Sequence, residues 1–175
     1  VGLSMAALAC SALCVLYPRP LAYHRGALEV TSIDVGQGDS LLVVSPQGKT
    51  LLVDAGGPIG GMQSSASNFD IGEDVVSPML WTRNIRHLDA VALTHAHSDH
   101  IGGMPAVLRD LHPRELWYSI QPGQSPELQS LLAEARTLGI EIHPLAAGDR
   151  FSWGGLQATV LAPEQGYENA GMARN

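Results

Sequence analysis

The stretch that most restricts the fold runs from Leu88 to Gly103 and reads LDAVALTHAHSDHIGG. Its first half, Leu88 to Thr94, is an apolar run of the kind expected of a strand buried on both faces, which requires packed layers on either side of its sheet. Its second half changes character at once. His95, His97, Asp99 and His100 fall within six residues, and Gly102 and Gly103 follow them. The chain must therefore bury a strand and, at its C-terminal end, present a loop of donors that a metal ion would take.

The flanking sequence supplies strands and helices for such a fold. Three strand-like runs, Leu28 to Val35, Ser40 to Ser45 and Thr50 to Asp54, are joined by GQGD and PQGK, so an antiparallel meander is expected. A long Gly/Ser-rich loop follows, of the sort that lies over a site or moves. A helix is predicted from about Ile71 to Arg83, with Val75, Val76, Met79 and Leu80 on one face and Pro78 as a kink or a new start. A short helix is expected over Pro105 to Leu111, then a strand in ELWYSI. Ser125 and Pro126 open a helix whose stripe is Leu128, Leu131, Leu132, Ala135 and Leu138, with Gly139 as the stop. Glu141 to His143, Arg150 to Trp153 and Gln157 to Leu161 are the remaining strand candidates, and the final YENAGMARN reads as a loop cut off in mid-domain.

Composition matters mainly at the front. Apolar residues make up 45% of the 175 and charged residues 15%, and Val1 to Tyr17 carries no charge at all. A spanning helix needs roughly 17–25 mostly apolar residues, so residues 1–17 are expected to form a transmembrane helix, the end of a multi-span membrane domain. Gly2, Ser4, Ala6, Ala7, Ala9, Ser11 and Ala12 are small enough for close helix packing in a membrane. A signal or lone anchor and a buried soluble helix are the alternatives. Arg19, His24 and Arg25 would place this flank in the cytoplasm by the positive-inside rule, although the other flank is not in the sequence and the side stays open. Residues 18–27 read as a linker and 28–175 as one domain. Cys10 and Cys14 lie in the apolar segment as packing residues, so the domain has neither a thiolate site nor a disulfide framework. The formal charge of −7 argues against nonspecific nucleic-acid binding by the chain as a whole.

Imidazole and carboxylate donors without thiolate suit Zn, Mn, Fe or Ni. His95 and His97 project to the same side of an extended segment and can reach one ion. Asp99 and His100 lie where the chain turns into a helix, which aims them at a second point nearby. Two-metal hydrolases hold their ions about 3.5–4 Å apart and activate water between them.

The spacing His-x-His-x-Asp-His, with a strand leading in and Gly-Gly leading out, resembles the signature of the metallo-β-lactamase fold. That resemblance implies His95 and His97 on the first metal, and Asp99 and His100 on the second, with two divalent ions, Zn or Mn, as cofactors. It also implies a catalytic role for Asp99 in orienting water and handling its proton. Asp54, at the end of TLLVDAGG, would support the loop through hydrogen bonds without ligating. The implied fold is an α+β, αββα sandwich of which this chain holds the N-terminal part. Further ligands would lie downstream, since His112 and His143 have no motif around them and read as ordinary surface or packing histidines. A chain ending before those ligands is expected to bind metal weakly and to catalyse poorly.

A narrower resemblance covers Leu28 to Pro163. IDVGQGDSLLVVSPQGKTLLVDAGG is similar to the start of the metallo-β-lactamase-like domain of ComEC-type competence proteins, the DNA-uptake channel of the bacterial inner membrane. Within DVGQGD, Gly36, Gly38 and Asp39 read as a tight turn with no catalytic duty of their own. The resemblance implies a multi-pass protein of the inner membrane with DNA and other competence proteins as partners, and a metal-dependent nuclease that degrades the strand not imported. A hydrolase of a small ester or amide, and a non-catalytic scaffold that guides DNA, are the competing readings.

Overall fold

The computed structural model describes residues 2–16, 21–58, 69–119 and 125–164. The Gly/Ser-rich stretch over 59–68 and the terminal YENAGMARN lie outside the described residues. The first element is the helix α1 (Gly2–Leu16), 15 residues without a charge. At 1.5 Å per residue it is roughly 22 Å long, short of the ~30 Å hydrocarbon core of a bilayer. The spanning helix expected over residues 1–17 is therefore not seen: no described helix is long and apolar enough to cross a membrane. The buried soluble helix is not seen either, because the described side chains from Ser4 to Ser11 are all exposed.

The domain proper is built on a six-stranded sheet of strands β1 (Glu29–Ser32), β2 (Leu41–Val44), β3 (Thr50–Val53), β4 (Ala90–Leu93), β5 (Glu115–Ser119) and β6 (Glu141–Leu145), in that spatial order. The first three form the expected antiparallel meander, with Leu42 opposite Leu52. From β3 onward every pairing is parallel. Each parallel step needs a crossover, and the helices supply it. They are α2 (Ser77–Thr82) between β3 and β4, α3 (Ser98–Ile101) and α4 (Met104–Leu111) between β4 and β5, and α5 (Pro126–Thr137) between β5 and β6. The sheet is thus a mixed α/β one, rather than a layer with its helices segregated.

One face of the sheet carries the main core. Leu42, Leu52, Val91, Leu93 and Leu116 point into it and meet Leu80, Val107, Leu108, Leu111, Leu128 and Leu131 from the helices. The other face is covered by a two-stranded hairpin, β7 (Arg150–Trp153) and β8 (Leu156–Thr159). Here β4 presents only Ala90 and Ala92, and these small side chains leave room for Trp117 and Trp153, whose rings meet edge to face at 5.6 Å. The alternation of Ala with Val and Leu along β4 is the reason that strand can be buried on both sides. Among the described residues the hairpin is a second, two-stranded sheet lying on this face.

Two local details differ from the sequence reading. The helix expected over Ile71 to Arg83 is split. A π-helical segment, Gly72–Val76, precedes α2, and Ser77 N–H donates to Gly72 O across the wider turn. Pro78 lies in the first turn of α2, where its missing N–H costs nothing. In α5, Ser125 Oγ accepts from Leu128 N–H as expected, and Leu128, Leu131, Leu132 and Ala135 are buried. Leu138 was expected on the same stripe, but it is the C-cap residue, past the last full turn, and is 36% exposed.

Leu116, the second residue of β5, is fully buried in the main core beneath the helices. Leu116→Ala is expected to lower unfolding stability by about 2–5 kcal/mol, read as a shift in the urea midpoint at unchanged slope. A loss below ~1 kcal/mol would show that the core collapses around this site.

Candidate metal centre

Parallel strands β3 and β4 end side by side, and both lead into the loop region at their C-terminal edge. Thr94 follows β4 at a bend, and His97, the N-cap of α3, is extended at φ −79 and ψ 148. Asp99 and His100 sit in the first turn of α3. His95 and His97 come together, with ring centroids 4.5 Å apart. The turn into α3 brings His100 to 4.0 Å from His95. His100 Nε2 lies 3.8 Å from Asp99 Oδ2. All four expected donors are therefore neighbours in one cluster, rather than two separated pairs.

Asp54 lies beneath them. It is 2% exposed and adopts a left-handed backbone, φ +57. That conformation costs a non-glycine residue about 1–2 kcal/mol, and its surroundings hold it there. Asp54 N–H donates to Ala92 O, Ser40 Oγ donates to Asp54 O, and Ala55 N–H donates to His100 O. The twist turns the carboxylate up under the loop. Its Oδ1 accepts Thr94 N–H at 2.8 Å, and its Oδ2 meets Thr94 Oγ1 at 2.6 Å and His100 Nδ1 at 2.8 Å. Asp54 thus meets the loop from below through hydrogen bonds to Thr94 and His100. A carboxylate only accepts, so His100 donates through Nδ1 and keeps Nε2 as its free lone pair.

The donor chemistry fits a divalent ion. Burial above all, and then the nearby His100 and His97 imidazoles, lower the pKa of His95 below the ordinary histidine value, outweighing the opposite pull of Asp54 and Asp99. His95 is thus kept in the neutral form that a metal takes. The rings, however, meet edge to face or tilted. Among the described residues no three His, Cys, Asp or Glu side chains are disposed to hold one ion. The set is gathered and oriented from below without being closed into a complete cage.

The other histidines stay apart. His112 caps the far end of α4 and stacks edge to face on His87 at 6.4 Å. His143 pairs with Glu141 at 3.2 Å and lines a separate cavity of about 300 Å³ with Lys49, Trp117 and Trp153. A larger cleft of about 720 Å³ opens beside the loop itself, between His97, Ser98 and Pro58 on one side and Glu127 and Ser130 of α5 on the other.

The DVGQGD turn has a duty that its sequence did not disclose. The turn itself is real, closed by Gly36 N–H donating to Asp34 Oδ1 at 3.1 Å, so Asp34 and not Asp39 supplies the side-chain bond. Gly38, at φ +88, lies against the metal-capable loop, and a Cβ there would sit 1.8 Å from Asp99 O. Gly57 is as tight: a Cβ would fall 2.0 Å from Ser98 O. Backbone packs on backbone around α3, which the spacing of glycines alone could not reveal.

Gly38→Ala should push the Asp99 backbone away, and both strain and displacement should lower the melting temperature by several degrees, in line with ~1–3 kcal/mol for overpacking. An unchanged melting curve would show that the turn, not the loop, yields. Asp54→Ala should strand three donors and cost on the order of 2 kcal/mol of stability, read by chemical denaturation. A neutral result there would mean that the buried carboxylate has no supporting role.

Comparisons with known proteins bear on the family of the chain. The profile of the metallo-beta-lactamase superfamily matches residues 33–163. ComE operon protein 3 of Bacillus subtilis (strain 168) is 34% identical over 160 residues, 89% of this chain and 20% of that protein. The uncharacterized protein YcaI of Escherichia coli (strain K12) is 31% identical over 140 residues, 79% of this chain and 15% of that protein. The chain thus spans a fifth or less of the length of these curated relatives. Rm3 metallo-beta-lactamase, a solved structure, aligns over 86% of this chain and 54% of its own, at 16% identity and a TM-score of 0.48. The expected relation to ComEC-type proteins is supported by the first of these similarities. With more than half of its length matched, including β3, β4 and the whole His-x-His-x-Asp-His loop, the chain belongs to the metallo-beta-lactamase superfamily.

Proposed function

We propose that this domain is a metal-dependent phosphodiesterase, a nuclease acting on DNA at a bacterial membrane, within a longer protein related to ComE operon protein 3. One observation carries the reading. Four donors stand together at the end of a buried strand, with one of them, His100, fixed from below by the buried Asp54 carboxylate. His95 and His97 would hold one ion, and Asp99 and His100 a second, with Zn and Mn the ions that suit the donors. Bound there, such ions supply electrophilic activation of a phosphoryl group and of water at neutral pH.

The chain's own residues do the rest. Asp99 is half-buried at the mouth of the cluster, where its carboxylate can orient water and take its proton. Asp54 holds the His100 ring at a fixed angle. The cleft beside His97 gives a substrate a way in. DNA is the proposed partner, together with other competence proteins, and the resemblance of Ile33 to Gly57 to ComEC-type competence proteins is the ground for it. The uncharged α1, with its exposed Met5 and Leu8, supports contact with a membrane, and the inner membrane is the proposed location. The second reading is a DNA-guiding scaffold without catalysis. What favours it is that no three described side chains are disposed around one ion.

The test is Mn- or Zn-dependent cleavage of single- and double-stranded DNA by a polypeptide of the relatives' full length that carries this domain. His97→Ala and Asp99→Ala should each reduce cleavage by more than the ~10–100-fold that losing a supporting residue costs. Metal binding without cleavage would point to a different substrate, and neither metal nor cleavage would establish the scaffold.

A further inference from the structure

We propose that Thr94 is a positioning residue that sets the tautomer of His95, relaying the constraint from the Asp54 carboxylate. Its functional meaning rests on the metal-binding reading above, but its geometry does not. Thr94 Oγ1 stands between two partners, 2.6 Å from Asp54 Oδ2 and 3.0 Å from His95 Nδ1. A hydroxyl has one proton to give and lone pairs to receive. Asp54 as a carboxylate can only accept, so the hydroxyl proton goes to Oδ2. What Thr94 then offers His95 is a lone pair, and only an N–H at Nδ1 satisfies it. A neutral imidazole carries a single N–H, which leaves Nε2 of His95 bare.

The same carboxylate oxygen treats His100 directly, through Nδ1 at 2.8 Å. One buried oxygen therefore fixes both rings in the same tautomer, one by contact and the other through a hydroxyl. Thr94 is well held for this task. Its N–H is bound by Asp54 Oδ1, its C=O receives the Ser119 hydroxyl from β5, and a β-branched side chain has few rotamers to choose from. Serine in its place would keep the relay, whereas valine would keep the shape and lose the hydroxyl.

The experiment is nitrogen NMR of the His95 ring in the metal-free full chain, paired with Zn²⁺ affinity measured by chelator competition. The wild type should show His95 protonated at Nδ1. Thr94→Val should give a mixture of tautomers and a Zn²⁺ affinity lower by ~10–100-fold, and Thr94→Ser should restore both. A wild-type His95 protonated at Nε2, or a folded Thr94→Val chain with the tautomer unchanged, would overturn the relay. The wild-type spectrum decides this even where the valine variant does not fold. A wild type with the expected tautomer that binds no Zn²⁺ would sustain the relay and sink the metal-binding reading instead.

Discussion

The carboxylate of Asp54 is the point on which the site depends. It is buried, set in a backbone conformation that an aspartate seldom adopts, and engaged by both main chain and side chain of the residue leading into the loop. A buried charge of this kind is costly unless its oxygens are met by donors. Here the donors are the parts that must be held still. The requirement to satisfy the carboxylate and the requirement to orient the loop are one requirement, met by the same hydrogen bonds.

The sheet makes that arrangement possible. A parallel pairing of β3 with β4 ends both strands at the same edge, so that Asp54 and Thr94 become neighbours although forty residues separate them. An antiparallel pairing would have sent the two exits to opposite ends. The helices on one face and the hairpin with Phe151 and Trp153 on the other then fix the height of β4 by packing. The glycines of the turn before β2 and of the stretch after β3 let backbone approach backbone where side chains would have kept the loop away.

Much of this was legible in the residues. The donors fell within six residues, the strand before them was apolar, and Asp54 stood in the run TLLVDAGG. The meander and the cap of α5 followed from turn and capping chemistry. Other features were hidden because they depend on contacts distant in sequence. The duty of Gly38 is set by Asp99, the place of Thr94 by Asp54, and neither partner is near in the chain. The π-helical segment before Pro78 and the exposure of Leu138 turn on a single residue of helical register, finer than an apolar period resolves. The described length of α1, 15 residues, falls short of a span although its composition suits one.

The separation between donors and supports has a consequence for how an ion and the fold act on one another. The four donors described lie between positions 95 and 100, whereas the carboxylate that holds His100, and His95 through Thr94, is 46 residues away from His100. An unfolded chain therefore keeps its donors together as a local peptide and loses only their orientation. Whatever stabilises the native state by binding it must compete with binding to that peptide, and only the difference in affinity is available to favour folding. For these four donors, what the fold adds to the local peptide is the orientation that Asp54 and its neighbours supply.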